Sequence, residues 1–105
     1  MLAGKVRRVT IYVSEVDVWH GKPVHLEILR FLSQEGCAGG TVLRGVAGFT
    51  KAAGVVTTSL VDAGGKLPLV IEYIDKPEVV EHVLPRIREI AGNRLITLED
   101  LELYP

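Results

Sequence analysis

The chain has 105 residues, 48% of them hydrophobic, a formal net charge of −1 and one cysteine. A chain of this length buries roughly two-thirds of its unfolded surface, so we expect one domain over residues 1–105. The dispersed charges argue against nucleic acid as the main partner, and the lone Cys37 excludes both an intramolecular disulfide and a zinc site of paired cysteines.

The apolar content also bears on assembly and location. A mean hydropathy of +0.28 is high for a small soluble monomer and predicts a buried subunit interface. No apolar run approaches the ~20 residues that cross a bilayer, and the N-terminus lacks the apolar core of a signal peptide. We therefore expect a cytoplasmic protein.

The first half of the chain predicts a strand followed by a helix. Lys5 to Val13 alternate in polarity, which is typical of a strand. After a polar connection, Pro23 opens a helix, and Gly36 stands where a left-handed C-terminal cap is needed. The apolar residues of this helix recur at spacings of three and four: Val24, Ile28, Leu29, Phe31 and Leu32.

The middle of the chain predicts two strands separated by an arm. Thr41 to Leu43 form a short strand, and Val55 to Val61 pair in a long hairpin arm that folds back at Gly54. After a turn at 62–66, residues Leu67 to Asp75 give a strand that is apolar on both faces. Because two helices cover only one face of a sheet, the second face is expected to meet another subunit.

The last part predicts a helix and a strand, each with an irregularity. The helix begins at Pro77, and Pro85 should kink it or split it locally. In the strand from Leu95 to Leu103 the apolar residues change parity, which predicts a bulge near Glu99 and Asp100. The whole order indicates an α+β domain: a ferredoxin-like βαββαβ sandwich with an inserted arm.

No residue pattern indicates catalysis. Cys37 would follow a helix C-terminus, where the helix dipole disfavours a thiolate, and Glu99 and Asp100 would point to opposite faces of a strand. We therefore expect a non-enzyme. Three histidines suggest an alternative, a divalent-metal-binding trimer similar to the ion-tolerance proteins. Their spacing fits no recognised ligand pair, and we assign no metal ligand among His20, His25 and His82.

The glycine-rich stretch from Gly36 to Gly65 holds eight of the eleven glycines, and it contains no carboxylate before Asp62. The backbone N–H groups that its glycines leave accessible could bind phosphate oxygens, and Arg44 could bind the same oxygens with two donors. It matches neither the Walker loop nor the dinucleotide fingerprint. A hairpin arm whose glycines serve only its turns is the alternative interpretation.

Four separated blocks resemble the PII-like proteins of the "domain of unknown function 190" family, relatives of the PII signalling proteins. The blocks are WHGKP at 19–23, AGGTVLRGVAGF at 38–49, LPLVIEYID at 67–75 and LITLEDLEL at 95–103. The resemblance implies a homotrimer with sheets facing inward, and a T-loop-like arm between Arg44 and Lys66 that changes conformation with ligand and contacts a partner.

The resemblance also implies a ligand and its site. Adenine nucleotides bind PII proteins in clefts between subunits, at the base of the T-loop. The positions that correspond here, with Phe49 added as a ring that could cover the base, are Gly39, Gly40, Thr41, Arg44, Gly45, Gly48 and Phe49.

The function predicted on this basis is a regulator that binds an adenine nucleotide, requires no cofactor, and acts on a partner through the arm. AMP or ADP is favoured over ATP, because Asp75 runs into Lys76 and Pro77 where PII proteins have a phosphate-binding turn. By analogy with PII regulators, the partner class is a membrane transporter or channel.

Overall fold

The protein forms a four-stranded antiparallel sheet with two helices on one face. The computed structural model describes residues 2–51, 54–58 and 66–105. Within these ranges the elements are β1 Gly4–Ser14, β2 Val18–Trp19, β3 Lys22–Pro23, α1 Val24–Gln34, β4 Gly40–Arg44, β5 Ala47–Thr50, β6 Gly54–Thr57, β7 Pro68–Asp75, α2 Pro77–Ala91 and β8 Ile96–Leu103.

The strand order in the main sheet is β4-β7-β1-β8. A helix follows β1 and another follows β7, and these two strands lie side by side at the centre of the sheet. This is the split βαβ arrangement of ferredoxin-like folds. The predicted fold class is therefore confirmed, whereas the trimer remains a prediction.

The core lies between the sheet and the helices because alternate residues of the central strands face the same way. Val9 and Ile11 of β1 are fully buried beside Ile71 and Tyr73 of β7. The helices contribute apolar residues at three- and four-residue spacings, as the sequence predicts. Their buried members are Val24, Ile28 and Leu32 in α1, and Val80, Val83, Ile87, Ile90 and Ala91 in α2.

The first helix ends in the predicted left-handed cap. Gly36 has φ +74°, its N–H donates to the Ser33 carbonyl at 3.1 Å, and the Cys37 N–H donates to the Leu32 carbonyl at 3.1 Å. This pair of bonds defines a Schellman motif. The cap turns the chain back toward the sheet, where it enters the edge strand β4.

The second helix continues through Pro85 as one element from Pro77 to Ala91, so the predicted local split is wrong. Pro85 is exposed, and the helical bond that it removes would have ended on the carbonyl of Glu81, which is also exposed. The buried stripe on the other side of the helix holds both halves against the sheet.

The predicted bulge in β8 is also wrong. The pairing of β1 with β8 keeps one register from Gly4 opposite Leu103 to Ile11 opposite Ile96. The apolar residues change parity because β8 contributes apolar side chains to both faces of the sheet. Leu101 lies opposite the buried Val6 on the face away from the helices, called the open face below. On the helix face Asp100 instead accepts a hydrogen bond from Arg7 Nε at 2.7 Å.

The arm, residues 45–66, leaves the sheet after β4 and returns before β7. Its described part is a separate two-stranded ribbon in which β5 pairs with β6, and Gly54 adopts φ +67° where β6 begins. The predicted hairpin is confirmed over this part. The remainder of the predicted strand to Val61 and of the turn before Lys66, at 59–65, lies outside the described residues.

The face of the sheet opposite the helices carries several apolar side chains. Tyr12 is 45% exposed and Leu43 is 54% exposed, while Val70 between them and Ile74 further along β7 are half-buried. The two-sided apolar character of β7 is therefore confirmed. Among the described residues, neither helix has the length and hydropathy needed to span a bilayer.

Candidate functional site

The two ends of the arm meet at one carboxylate, that of Glu15, directly after β1. The Glu15 N–H donates to the Leu67 carbonyl at 3.0 Å, and Glu15 Oε1 accepts from the Leu67 N–H at 3.1 Å. The guanidinium of Arg44, at the last position of β4, lies 3.1 Å from Glu15 Oε2. Glu15 therefore contacts the residue before the arm and the residue after it.

The environment of Glu15 favours its ionised form. The Leu67 N–H lowers the pKa of the Glu15 carboxyl below its usual value, partial desolvation opposes this, and Arg44 adds to the lowering. The Glu15 side chain is 19% exposed, whereas that of Arg44 is 56% exposed. Arg44 therefore keeps guanidinium donors open to solvent while it pairs with Glu15.

An open concavity of about 620 Å³ lies beside this ion pair, on the helix side of the edge strand. Its lining consists of Glu15, His25, Val42, Arg44 and Leu69. The volume is within the usual range for sites of small organic ligands. The concavity thus combines apolar strand residues with an arginine, a carboxylate and an imidazole.

Two predicted site glycines, Gly45 and Gly48, have a packing role at the base of the arm. The Gly45 N–H donates to the Pro68 carbonyl at 2.8 Å. A Cβ atom on Gly45 would lie 2.8 Å from Pro68 Cγ, and one on Gly48 would lie 2.9 Å from the same atom. Both distances are too short for a side chain, so the Pro68 ring requires glycine at both positions.

The remaining predicted residues are distributed over two places. Gly40 and Thr41 begin β4 and Gly39 directly precedes it, so the three lie roughly 10–16 Å along the chain from Arg44. Thr41 is on the open face, three residues from Arg44 on the helix face, and Phe49 is 78% exposed on the arm. One subunit therefore groups Arg44, Gly45 and Gly48 at the arm base but does not bring Thr41 to the same point.

A buried carboxylate fixes the segment that leads into β4. Asp75 is 6% exposed and accepts hydrogen bonds from the Tyr73 hydroxyl at 2.7 Å, the Ala38 N–H at 3.0 Å and the Lys76 N–H at 2.9 Å. Burial raises the pKa of Asp75, but these donors together hold it below its usual value. Burial also raises the pKa of Tyr73, which Cys37 and Asp75 raise further.

The three histidines lie in separate environments. His20 is exposed in the turn between β2 and β3, and His82 is exposed on α2 with Nε2 3.4 Å from Glu35 Oε1. His25 lines the concavity, and its buried Nδ1 has no hydrogen-bond partner. Within residues 2–51, 54–58 and 66–105, no three His, Cys, Asp or Glu side chains form a group that could hold a metal ion.

Sequence reasoning singled out Arg44 but missed Glu15, Leu67 and Pro68 as parts of the arm base. Glu15 stands in a polar connection that resembles an ordinary turn. Its position becomes informative only through the register of β1 against β7, in which Ser14 lies opposite Pro68. A carboxylate one residue beyond that pair necessarily meets the returning end of the arm.

The sheet, the two helices and the arm define a PII-like fold. CPII, a nitrogen regulatory PII-like protein from Thiomonas intermedia K12 in a structure bound to ADP, AMP and bicarbonate, gives a TM-score of 0.67 at 16% identity, covering 94% of this chain and 88% of CPII. CutA from Synechococcus elongatus PCC7942 gives 0.61 at 10% identity, covering 97% of this chain and 80% of CutA. At these identities the likeness concerns the fold.

The sequence itself identifies the family. Residues 6–103 match the DUF190 family model, described as "Uncharacterized ACR". A UPF0166 protein of Aquifex aeolicus is 34% identical over 94% of this chain and 93% of the relative, and one of Methanocaldococcus jannaschii is 33% identical over 95% and 93%. The chain therefore belongs to the DUF190 (UPF0166) family, and the predicted resemblance is confirmed.

Replacing Gly45 by alanine tests the packing at the arm base. The new methyl group would overlap the Pro68 ring, so Gly45→Ala should lower the free energy of unfolding by about 1–3 kcal/mol, the usual cost of overpacking. Gly39→Ala is the matched control because its Cβ would meet nothing within 4 Å. Urea unfolding of the two variants checks this; equal stability would contradict the packing role.

Replacing Asp75 by asparagine tests the buried carboxylate. Because the folded-state pKa of Asp75 lies below its unfolded value of about 4, its ionisation stabilises the fold above that pH, and this contribution is lost as the pH falls through the folded pKa. Asp75→Asn should cost about 1–3 kcal/mol at pH 7 and reduce the stability difference between pH 7 and pH 3.

Urea unfolding at both pH values measures this difference, with Asp100→Asn as the control because the Asp100 side chain is 75% exposed. An Asp75→Asn variant that keeps the wild-type difference between pH 7 and pH 3 would contradict the assignment.

Proposed function

We propose that this protein is a non-enzymatic PII-like regulator of the cytoplasm that binds an adenine nucleotide, AMP or ADP, at the arm base and acts on a partner through the arm. The observation that carries the proposal is the position of Arg44: a half-exposed guanidinium on a concavity where the arm leaves the sheet. The fold neighbour CPII, whose structure is bound to ADP and AMP, supports the choice of ligand.

The chemistry of the concavity suits a nucleotide phosphate. Arg44 offers a planar set of donors that matches phosphate oxygens, and its location at a strand end keeps its backbone fixed. Val42 and Leu69 supply apolar surface for a base or a ribose face. The predicted residues at the start of β4, Gly39 to Thr41, are assigned to a different part of the cleft.

The proposed assembly is a homotrimer with the open sheet faces turned inward and the clefts between subunits. Support comes from the apolar residues on that face, including Tyr12, Leu43 and Leu95, which are between 45% and 62% exposed in the single subunit. Burying such side chains contributes roughly 25 cal/mol per Å² of apolar surface. A trimer also places residues of a second subunit near the arm base.

The proposed partner surface is the arm, and the proposed partner class is a membrane transporter or channel. Phe49 and Val55 are 78% and 66% exposed and lie opposite each other on one face of the ribbon. Apolar side chains that are displayed together in this way mark interaction sites. Ligand occupancy at the arm base would change the arm orientation that a partner meets.

Calorimetric titration with AMP, ADP, ATP and cyclic AMP tests the ligand. Wild-type protein should bind AMP or ADP more tightly than ATP, and Arg44→Gln should weaken that binding at least tenfold because a charge-assisted contact to phosphate is lost. Arg30→Gln is the control, since Arg30 is an exposed arginine on α1 that pairs with Glu27. No heat with any nucleotide at millimolar concentration would refute the ligand assignment.

Analytical ultracentrifugation tests the assembly. Wild-type protein should sediment as a trimer, and Leu43→Asp should shift it toward monomer because a carboxylate would be buried in the interface. Leu26→Asp is the control, since Leu26 is a 37% exposed leucine on α1 in the other layer. A monomeric wild type, or a trimer unaffected by Leu43→Asp, would contradict the inward-facing sheet.

A further inference from the structure

The carboxylate of Glu15 is bound to the Arg44 guanidinium, the group that a ligand phosphate would need. Arg44 Nη2 lies 3.1 Å from Glu15 Oε2 and 3.4 Å from Oε1, so one edge of the guanidinium already carries an oxyanion. Carboxylate and phosphate bind the same fork of arginine donors. The ion pair is thus a ligand mimic supplied by the chain itself.

The same carboxylate also holds the returning end of the arm. Two hydrogen bonds join Leu67 and Glu15: the Glu15 N–H donates to the Leu67 carbonyl, and the Leu67 N–H donates to the Glu15 carboxylate. Leu67 is 2% exposed, so its position is fixed by packing as well. Through Glu15, the exposed guanidinium at the start of the arm is connected to a buried residue at its end.

The two contacts of Glu15 differ in how easily a ligand can break them. The contact with Leu67 involves backbone atoms and extends the pairing of β1 with β7. The contact with Arg44 depends on a long side chain that is 56% exposed, and exposed ion pairs are weak because solvent screens them. A phosphate with two negative charges therefore competes with Glu15 for Arg44 and leaves Leu67 in place.

We infer that Glu15 is an internal competitor of the ligand phosphate at Arg44, and that ligand binding breaks the side-chain link that Glu15 makes between the two ends of the arm. The inference rests on the proposed function for its ligand. In the empty protein, Glu15 joins Arg44 to Leu67. In the occupied protein, Arg44 binds the phosphate and Glu15 retains only Leu67.

The charge of Glu15 acts on ligand binding in a second way. A ligand phosphate that enters the concavity also meets the charge of Glu15 itself, which repels it. Glu15 thus opposes ligand binding twice, by occupying Arg44 and by repulsion, and its removal should strengthen binding.

The test compares Glu15→Gln with wild type. Glutamine keeps an oxygen that can accept from the Leu67 N–H, but it removes the charge that binds Arg44. Glu15→Gln should bind ADP about three- to tenfold more tightly in calorimetric titration. In the Arg44→Gln background, the same Glu15→Gln change should strengthen ADP binding less, because it then removes only the repulsion. The difference between the two gains measures the competition at Arg44.

Hydrogen exchange without ligand provides the second readout. Loss of the ion pair should accelerate exchange of the Gly45 N–H, which donates to Pro68 at the arm base, at least threefold. Glu27→Gln is the control for both measurements, because Glu27 is a 13% exposed glutamate that pairs with Lys22 and Arg30 away from the arm. This control should change neither ADP affinity nor Gly45 exchange.

The outcomes separate this inference from the proposed function. If wild type binds ADP and the Glu15→Gln variant binds it with equal or lower affinity, the competition at Arg44 is overturned. Unchanged Gly45 exchange in Glu15→Gln would overturn the connection between the arm ends, whether or not a nucleotide binds. Absence of ADP and AMP binding to both proteins, with faster Gly45 exchange in the variant, would refute the proposed ligand while supporting the connection.

Discussion

The antiparallel pairing of β1 with β7 is the constraint on which the rest of the structure depends. It runs without interruption from Arg7 opposite Asp75 to Ser14 opposite Pro68. On the helix side it aligns the buried residues of both strands into one core surface. At its end it places Glu15 beside Leu67, so the same register that builds the core also brings a carboxylate to the point where the arm returns.

The edge strand β4 adds the charge that makes this end of the sheet chemically distinctive. Its alternation sends Val42 and Arg44 to the helix side, where Val42 packs against the core and Arg44 reaches the concavity. A strand that ends in arginine before an arm therefore gives a guanidinium whose backbone is held in the sheet while its side chain is half-exposed. The packing of Gly45 and Gly48 against Pro68 keeps the arm close to this group. Rigid strands and an adaptable ion pair are thus combined at one place.

Most of the fold could be predicted from the sequence, because it depends on local periodicity and caps. The alternation in β1 and β7, the helical stripes and the cap at Gly36 are all visible in the chain. Two predictions failed because the outcome depends on tertiary surroundings. Pro85 is exposed and is tolerated within α2, and the parity change in β8 reflects a second apolar face rather than a bulge. At the site, Arg44 was predictable by its charge in a glycine-rich segment. The role of Glu15 was not predictable, because it depends on the register that brings Glu15 beside Leu67, 52 residues away in the sequence.

In the proposed function, the arm base responds to a nucleotide through Arg44. A crystal structure of the protein with saturating ADP tests this most directly. We predict a phosphate oxygen within hydrogen-bond distance of the Arg44 guanidinium, with Arg44 separated from Glu15 and the bond from Leu67 to Glu15 retained. A nucleotide bound elsewhere, or one bound at the arm base while Arg44 stays on Glu15, would contradict it.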